Sequence, residues 1–118
     1  MFRRTGRAIA VATITSVAFP MALGAAAGAK SNSVKVDIND GGCPARLKIK
    51  AGPTTFKVTN SGSGDVSEFE ILSGDHIIGE VENVAPGLNK EFSLTLKPGT
   101  YKTACPGGSD HATAKLVV

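Results

Sequence analysis

From Val34 to Val118 apolar and polar residues alternate in short runs, and most runs end at Gly or Pro. Val34, Val36 and Ile38 alternate with Lys35, Asp37 and Asn39. Leu47 and Ile49 alternate with Arg46, Lys48 and Lys50, and Phe56 and Val58 with Thr55, Lys57 and Thr59. Phe92, Leu94 and Leu96 alternate with Glu91, Ser93 and Thr95. A period of two places one set of side chains in a core and the other in water, which is the pattern of a half-buried strand. Runs at Glu68–Leu72, His76–Val81, Tyr101–Cys105 and Ala114–Val118 extend the series, and no stretch has a helical period. Asp40-Gly41-Gly42, Ala51-Gly52-Pro53, Ser73-Gly74-Asp75, Ala85-Pro86-Gly87 and Lys97-Pro98-Gly99 supply turns between them. Glycine permits positive φ and proline fixes φ, so these clusters reverse the chain. Seven or eight short strands at regular spacing predict an all-β fold, a Greek-key β-sandwich.

The first residues do not fit that pattern. Met1 to Arg7 is basic, Ala8 to Ala27 is apolar, and Ala25, Ala27 and Ala29 offer small residues for cleavage. This is the layout of a secretory signal peptide, residues 1–29, ahead of a domain at 30–118. An uncleaved membrane anchor is the alternative, because the apolar run is nearly long enough to span a bilayer. Arg3-Arg4 is followed by Thr5 and Gly6 rather than apolar residues, so a twin-arginine signal is weak. The expected location is outside the cytoplasm, periplasmic or extracellular at the cell envelope.

The basic balance belongs to the leader. Of 13 Lys and Arg, Arg3, Arg4 and Arg7 lie there, and none of the 10 Asp and Glu does, so the remainder is formally neutral. No net positive charge remains to recruit nucleic acid or an anionic membrane. A monomer is expected. A domain this small is marginally stable, so one cross-link or bound metal matters.

Cys43 and Cys105 are the only cysteines. In an exported small domain a disulfide is the default, and closing the loop between them would stabilise the fold by about 4 kcal/mol on the chain-entropy model. The other reading makes them metal ligands, which requires reduced thiols. If the Asp40-Gly41-Gly42 turn caps one end of the sandwich, both cysteines and the loop from Cys105 to His111 share that end. A blue copper site needs two histidines, a cysteine and usually an axial methionine. The only methionines are Met1 and Met21, and Glu68 stands where such sandwiches place the first histidine. A site of one or two thiolates, a carboxylate and an imidazole would suit copper, ferric iron or zinc better.

Several segments resemble one family. Asp40-Gly41-Gly42-Cys43-Pro44, Ala51-Gly52-Pro53-Thr54-Thr55-Phe56, Val58-Thr59-Asn60, Glu68-Phe69-Glu70-Ile71-Leu72, Glu82-Asn83-Val84-Ala85-Pro86-Gly87 and Leu96-Lys97-Pro98-Gly99-Thr100-Tyr101, ending at Cys105, carry the resemblance. They are similar to the cupredoxin-like domain of EfeO-type periplasmic iron-uptake proteins. The resemblance implies a secreted cupredoxin-like fold and a copper or iron ion held by Cys43, Glu68 and Cys105; His111, by its position in the adjoining loop, is either an auxiliary ligand or a solvent-exposed loop histidine. It implies metal handling or one-electron redox with an envelope iron- or copper-transport protein as partner. Thr103 departs from the family, which can carry methionine there. The large helical peptidase-like domain that follows in the family is not matched by residues up to Val118. The rival expectation is a disulfide-stapled sandwich without metal, serving as a binding or structural module.

The other polar residues have ordinary explanations. Glu70 shares a strand face with Glu68. Glu80 and Glu82 form an acidic edge, His76 follows a turn, and Asp75 and Asp110 are turn formers. Phe56, Phe69, Phe92 and Tyr101 are expected in or near the core. No nucleophile is paired with a base, and no phosphate-binding loop precedes a helix, so enzyme chemistry is not expected.

Overall fold

The computed structural model describes residues 31–118; the leader expected at 1–29 lies outside the described residues. Eight strands follow one another: β1 (Asn32–Ile38), β2 (Arg46–Lys48), β3 (Gly52–Asn60), β4 (Phe69–Ser73), β5 (His76–Val81), β6 (Asn89–Leu96), β7 (Thr100–Ala104) and β8 (Thr113–Val117). There is no helix among the described residues. One sheet has the order β1-β3-β6, the other β2-β8-β7-β4-β5. β1 runs parallel to β3 and β2 parallel to β8, and the remaining pairs are antiparallel. The chain changes sheet after β1, β2, β3, β5 and β6, so the sandwich is a Greek key.

The alternating pattern decides which face each strand buries. On β3, Thr54, Phe56, Val58 and Asn60 are buried while Thr55, Lys57 and Thr59 are not. Val36, Ile38, Phe56, Val58, Phe69, Ile71, Val84 and Leu116 form the core between the sheets. Burying each large side chain contributes about 1.5–3 kcal/mol, an upper estimate because the unfolded chain is itself partly collapsed. Phe56 stacks on its cross-strand partner Phe92 with ring centroids 5.1 Å apart, and Phe69 is tilted against both. Such pairs add roughly 0.5–1.5 kcal/mol beyond area. Gly79 makes room for this cluster: a Cβ there would lie 2.9 Å from the Phe92 ring.

Two elements differ from expectation. β2 is only three residues long, Arg46–Lys48, and the Cys43 amide before it is spent on the His111 carbonyl rather than on a ladder. β3 starts earlier than its alternation suggests, at Gly52, and includes Pro53. Pro53 pairs only with Thr95 of β6, since β1 pairing begins at Thr54. Proline is tolerated there because one side of the strand needs no N–H.

Strand direction gathers four connections at one pole: residues 39–45, 61–68, 82–88 and 105–112. β1, β3, β5 and β7 end there, and β2, β4, β6 and β8 begin there.

Candidate functional site

Those four connections are bonded to one another; the Val84 amide, for one, donates to the Ser67 carbonyl at 2.9 Å. The Cys43 amide donates to the His111 carbonyl at 2.9 Å, and the Cys105 amide to the Ala112 carbonyl at 2.8 Å. The Gly41 carbonyl accepts from the amides of Asp110, at 3.0 Å, and His111, at 2.7 Å. The Asp40 carbonyl accepts from the Ser109 amide at 3.0 Å. The Asp40 carboxylate accepts from both the amide and the hydroxyl of Ser63, at 2.8 and 3.0 Å. The loops approach this closely because they are built of glycine. Gly42 has φ of 118°, and a Cβ there would collide with the His111 carbonyl. A Cβ on Gly108 would lie 2.7 Å from the Gly42 Cα. No other residue type has both the conformational freedom and the missing bulk.

Inside this clasp Cys43 and Cys105 form a disulfide, with Cα atoms 5.4 Å apart. Cys43 is 5% exposed and Cys105 0%, so the bond is sealed from solvent. Thr103 lies two residues before Cys105, is fully buried, and its hydroxyl has no hydrogen-bond partner. An unpaired buried hydroxyl costs about 1–3 kcal/mol.

Asn60 was missed as a site-building residue. It is fully buried at the end of β3, donates to the carbonyls of Val66 and Val84, both at 2.8 Å, and accepts from the Gly62 amide at 2.9 Å. It therefore fixes two of the polar connections. The signal was parity: Asn60 occupies the inward register of Phe56 and Val58, and Thr103 that of Cys105. A polar residue on an apolar register marks an interior hydrogen-bond requirement.

The other expected ligands lie apart. Glu68 is half-buried just before β4. Phe69 and Ile71 point into the core, so Glu70 takes the opposite face. Glu70 sits directly across from Glu80. Burial raises the Glu70 pKa above its ordinary value of 4.5, and the charges of Glu68, Glu80 and Glu82 raise it further. Glu70 and Glu80 thus form an acidic pair on the outer face of the five-stranded sheet, with Glu68 near enough to act on Glu70. His111 contributes its backbone to the clasp and is exposed. His76 is exposed at the start of β5 near the other pole. Among the described residues no group of three or more His, Cys, Asp and Glu side chains is gathered as a metal would require. The structure brings together Cys43 and Cys105, sets the His111 backbone beside them, and places Glu68 just before β4, where its charge acts on Glu70.

A family model described as a cupredoxin-like domain matches residues 8–118. The chain is 36% identical over 118 residues to the iron uptake system component EfeO of Escherichia coli (strain K12), covering 99% of this chain and 30% of that protein. The same identity and coverage hold for the EfeO component of Shigella flexneri. The chain thus spans about a third of the length of these relatives. Among solved structures, dithionite-reduced auracyanin from Roseiflexus castenholzii matches with a TM-score of 0.63 and 15% identity, covering 76% of this chain and 98% of that one. Auracyanin A, a blue copper protein from Chloroflexus aurantiacus, matches with a TM-score of 0.59 and 20% identity, covering 74% and 99%. A purple cupredoxin from Nitrosopumilus maritimus matches at 0.54 and 20%, covering 72% and 98%. At such identities these structures speak for the fold alone. The sandwich, the family match across residues 8–118 and the sequence identity agree: the chain belongs to the cupredoxin-like domain family.

Proposed function

We propose that the chain is an exported metal-handling module that takes copper or ferric iron as cargo at the cell envelope and acts with an iron- or copper-transport protein. The observation that carries this reading is the 36% identity along the whole chain to iron uptake system components. The proposed ligands are Cys43, Glu68, Cys105 and His111 in the reduced protein. The disulfide form does not fit a metal centre, because bonded sulfurs are not thiolates and no third donor is grouped with them. Only the thiolate is a metal ligand. Reduction by an external dithiol would break the S–S bond, deliver two electrons and two protons to Cys43 and Cys105, and leave that dithiol as a disulfide. The unpartnered Thr103 hydroxyl, on the register of Cys105, supports a polar requirement in this interior.

A second reading has its own support. Both half-cystines are bonded and buried, which suits a permanently stapled sandwich that binds a protein partner without metal. Metal analysis of the protein before and after anaerobic reduction separates the two. The metal reading expects one copper or iron ion per reduced chain, lost in the Cys43→Ser/Cys105→Ser variant. No stoichiometric ion in either redox state would leave the stapled module. Stoichiometric binding that survives the double substitution would overturn the ligand set.

A further inference from the structure

The outer face of the five-stranded sheet is divided by charge. Arg46 of β2 stands opposite Lys115 of β8, and Lys115 stands opposite Lys102 of β7. Lys48 shares the outer register of Arg46, and all four cations are exposed. Across the same face Glu70 of β4 stands opposite Glu80 of β5, with Glu68 and Glu82 close enough to raise the Glu70 pKa. Further along the same two strands lie Leu72, which stands opposite Lys102, and its partner Ile77, which is 49% exposed. Like charges directly opposite on neighbouring strands are destabilising. Here both signs are laddered with themselves, although interchanging two cations with two carboxylates would have neutralised both groups. Lys102, diagonal to Glu70 on the adjoining strand, is the point where the two groups meet.

We propose that this face is a docking surface for a second copy of the chain. A two-fold axis lying in the plane of the face, between the two groups, lays the cations of each copy over the carboxylates of the other. It also brings the Leu72–Ile77 strips together. Both sets of repulsions become attractions in one isologous contact. The charges that conflict in the single chain are equal in number and opposite in sign, four and four, which is the complementarity such an axis requires. Only five short strands contribute, so the contact is of the small, transient class. The expected monomer is on this reading in equilibrium with a salt-sensitive dimer. The proposal does not depend on the metal reading.

Sedimentation velocity across protein concentration tests it. At about 10 mM salt, where charges interact over about 30 Å, a concentration-dependent dimer is expected; at about 1 M, where screening falls to about 3 Å, affinity drops at least tenfold. Glu80→Lys/Glu82→Lys and Lys102→Glu/Lys115→Glu change exposed residues only. Each variant alone is expected to be monomeric, and an equimolar mixture is expected to form the heterodimer. A protein that is monomeric at every concentration, a dimer indifferent to salt, or a pair of variants that fail to rescue one another would each overturn the proposal.

Discussion

The His111 carbonyl accepts the amide of Cys43 at 2.9 Å, so the loop that follows Cys105 is hydrogen-bonded to the residue that Cys105 is covalently joined to. The covalent bond and the loop clasp reinforce the same junction between the N-terminal and C-terminal halves of the domain.

Removing the covalent part should be costly. The bridge closes a loop spanning a sequence separation of 62, and the chain-entropy model assigns about 4 kcal/mol to a constraint of that length. Cys43→Ser/Cys105→Ser is expected to lower unfolding free energy by about that amount, read from urea denaturation, with a larger m-value because the unfolded chain loses its constraint. Reduction of the unsubstituted protein should reproduce most of the loss. A change below about 1 kcal/mol would mean that the glycine clasp alone holds the pole.

Thr103 allows a test in the opposite direction. Its hydroxyl is buried without a partner in the disulfide form. Thr103→Val keeps the shape and removes the polar atom, so a gain of about 1 kcal/mol is expected in the oxidised protein. If the hydroxyl serves the reduced site, the same substitution should weaken metal binding by the reduced protein while leaving that gain intact. Equilibrium unfolding and metal titration on one variant read both effects.

Asn60→Ala should be strongly destabilising. It strips the donors from the carbonyls of Val66 and Val84 and leaves the Gly62 amide without its acceptor, inside the protein. Each unsatisfied buried group costs about 1–3 kcal/mol. The expected loss is about 3 kcal/mol in total if water enters the vacated space, measured by thermal unfolding. Asn60→Asp is expected to be as harmful, because a carboxylate cannot donate to either carbonyl.

Much of this architecture could be read from alternation alone, and the reason is physical. Phe56, Val58, Phe92 and Leu96 must leave water while their neighbours must not, and only an extended chain of period two satisfies both. The shared pole of Cys43 and Cys105 followed from one turn, Asp40-Gly41-Gly42, plus strand direction. The redox state of the sulfurs did not, since composition cannot distinguish a thiol from half of a disulfide. The side-chain direction of Glu68 was not legible either: it stands in the loop just before β4, where the alternation of Phe69 and Glu70 does not extend, and its charge acts on Glu70. The hydrogen bonds among Gly41, Asp110 and His111 were not legible, because they arise between loops far apart in the chain.

Glu70 gives the clearest pH dependence. Its pKa is raised first by burial and then by Glu68, Glu80 and Glu82. A carboxyl whose folded pKa exceeds its unfolded value favours the folded state when protonated. That contribution is fully present below the ordinary value of 4.5 and is lost as pH rises through the folded pKa. Above that range the folded protein carries the repulsion and the unfolded chain does not. Glu70→Gln removes the titrating charge and keeps the shape. The variant is therefore expected to be more stable than the unsubstituted protein at neutral pH, by less than about 1 kcal/mol because the site is partly exposed and solvent-screened. The difference should shrink towards zero at about pH 3, where a carboxyl with an ordinary or raised pKa is neutral in both states. Raising salt at neutral pH should shrink it as well, by screening the contribution from the neighbouring glutamates. Urea unfolding of both proteins across this pH range is the measurement. A variant less stable at neutral pH would show that the Glu70 carboxylate has a favourable partner strong enough to outweigh the three glutamates around it.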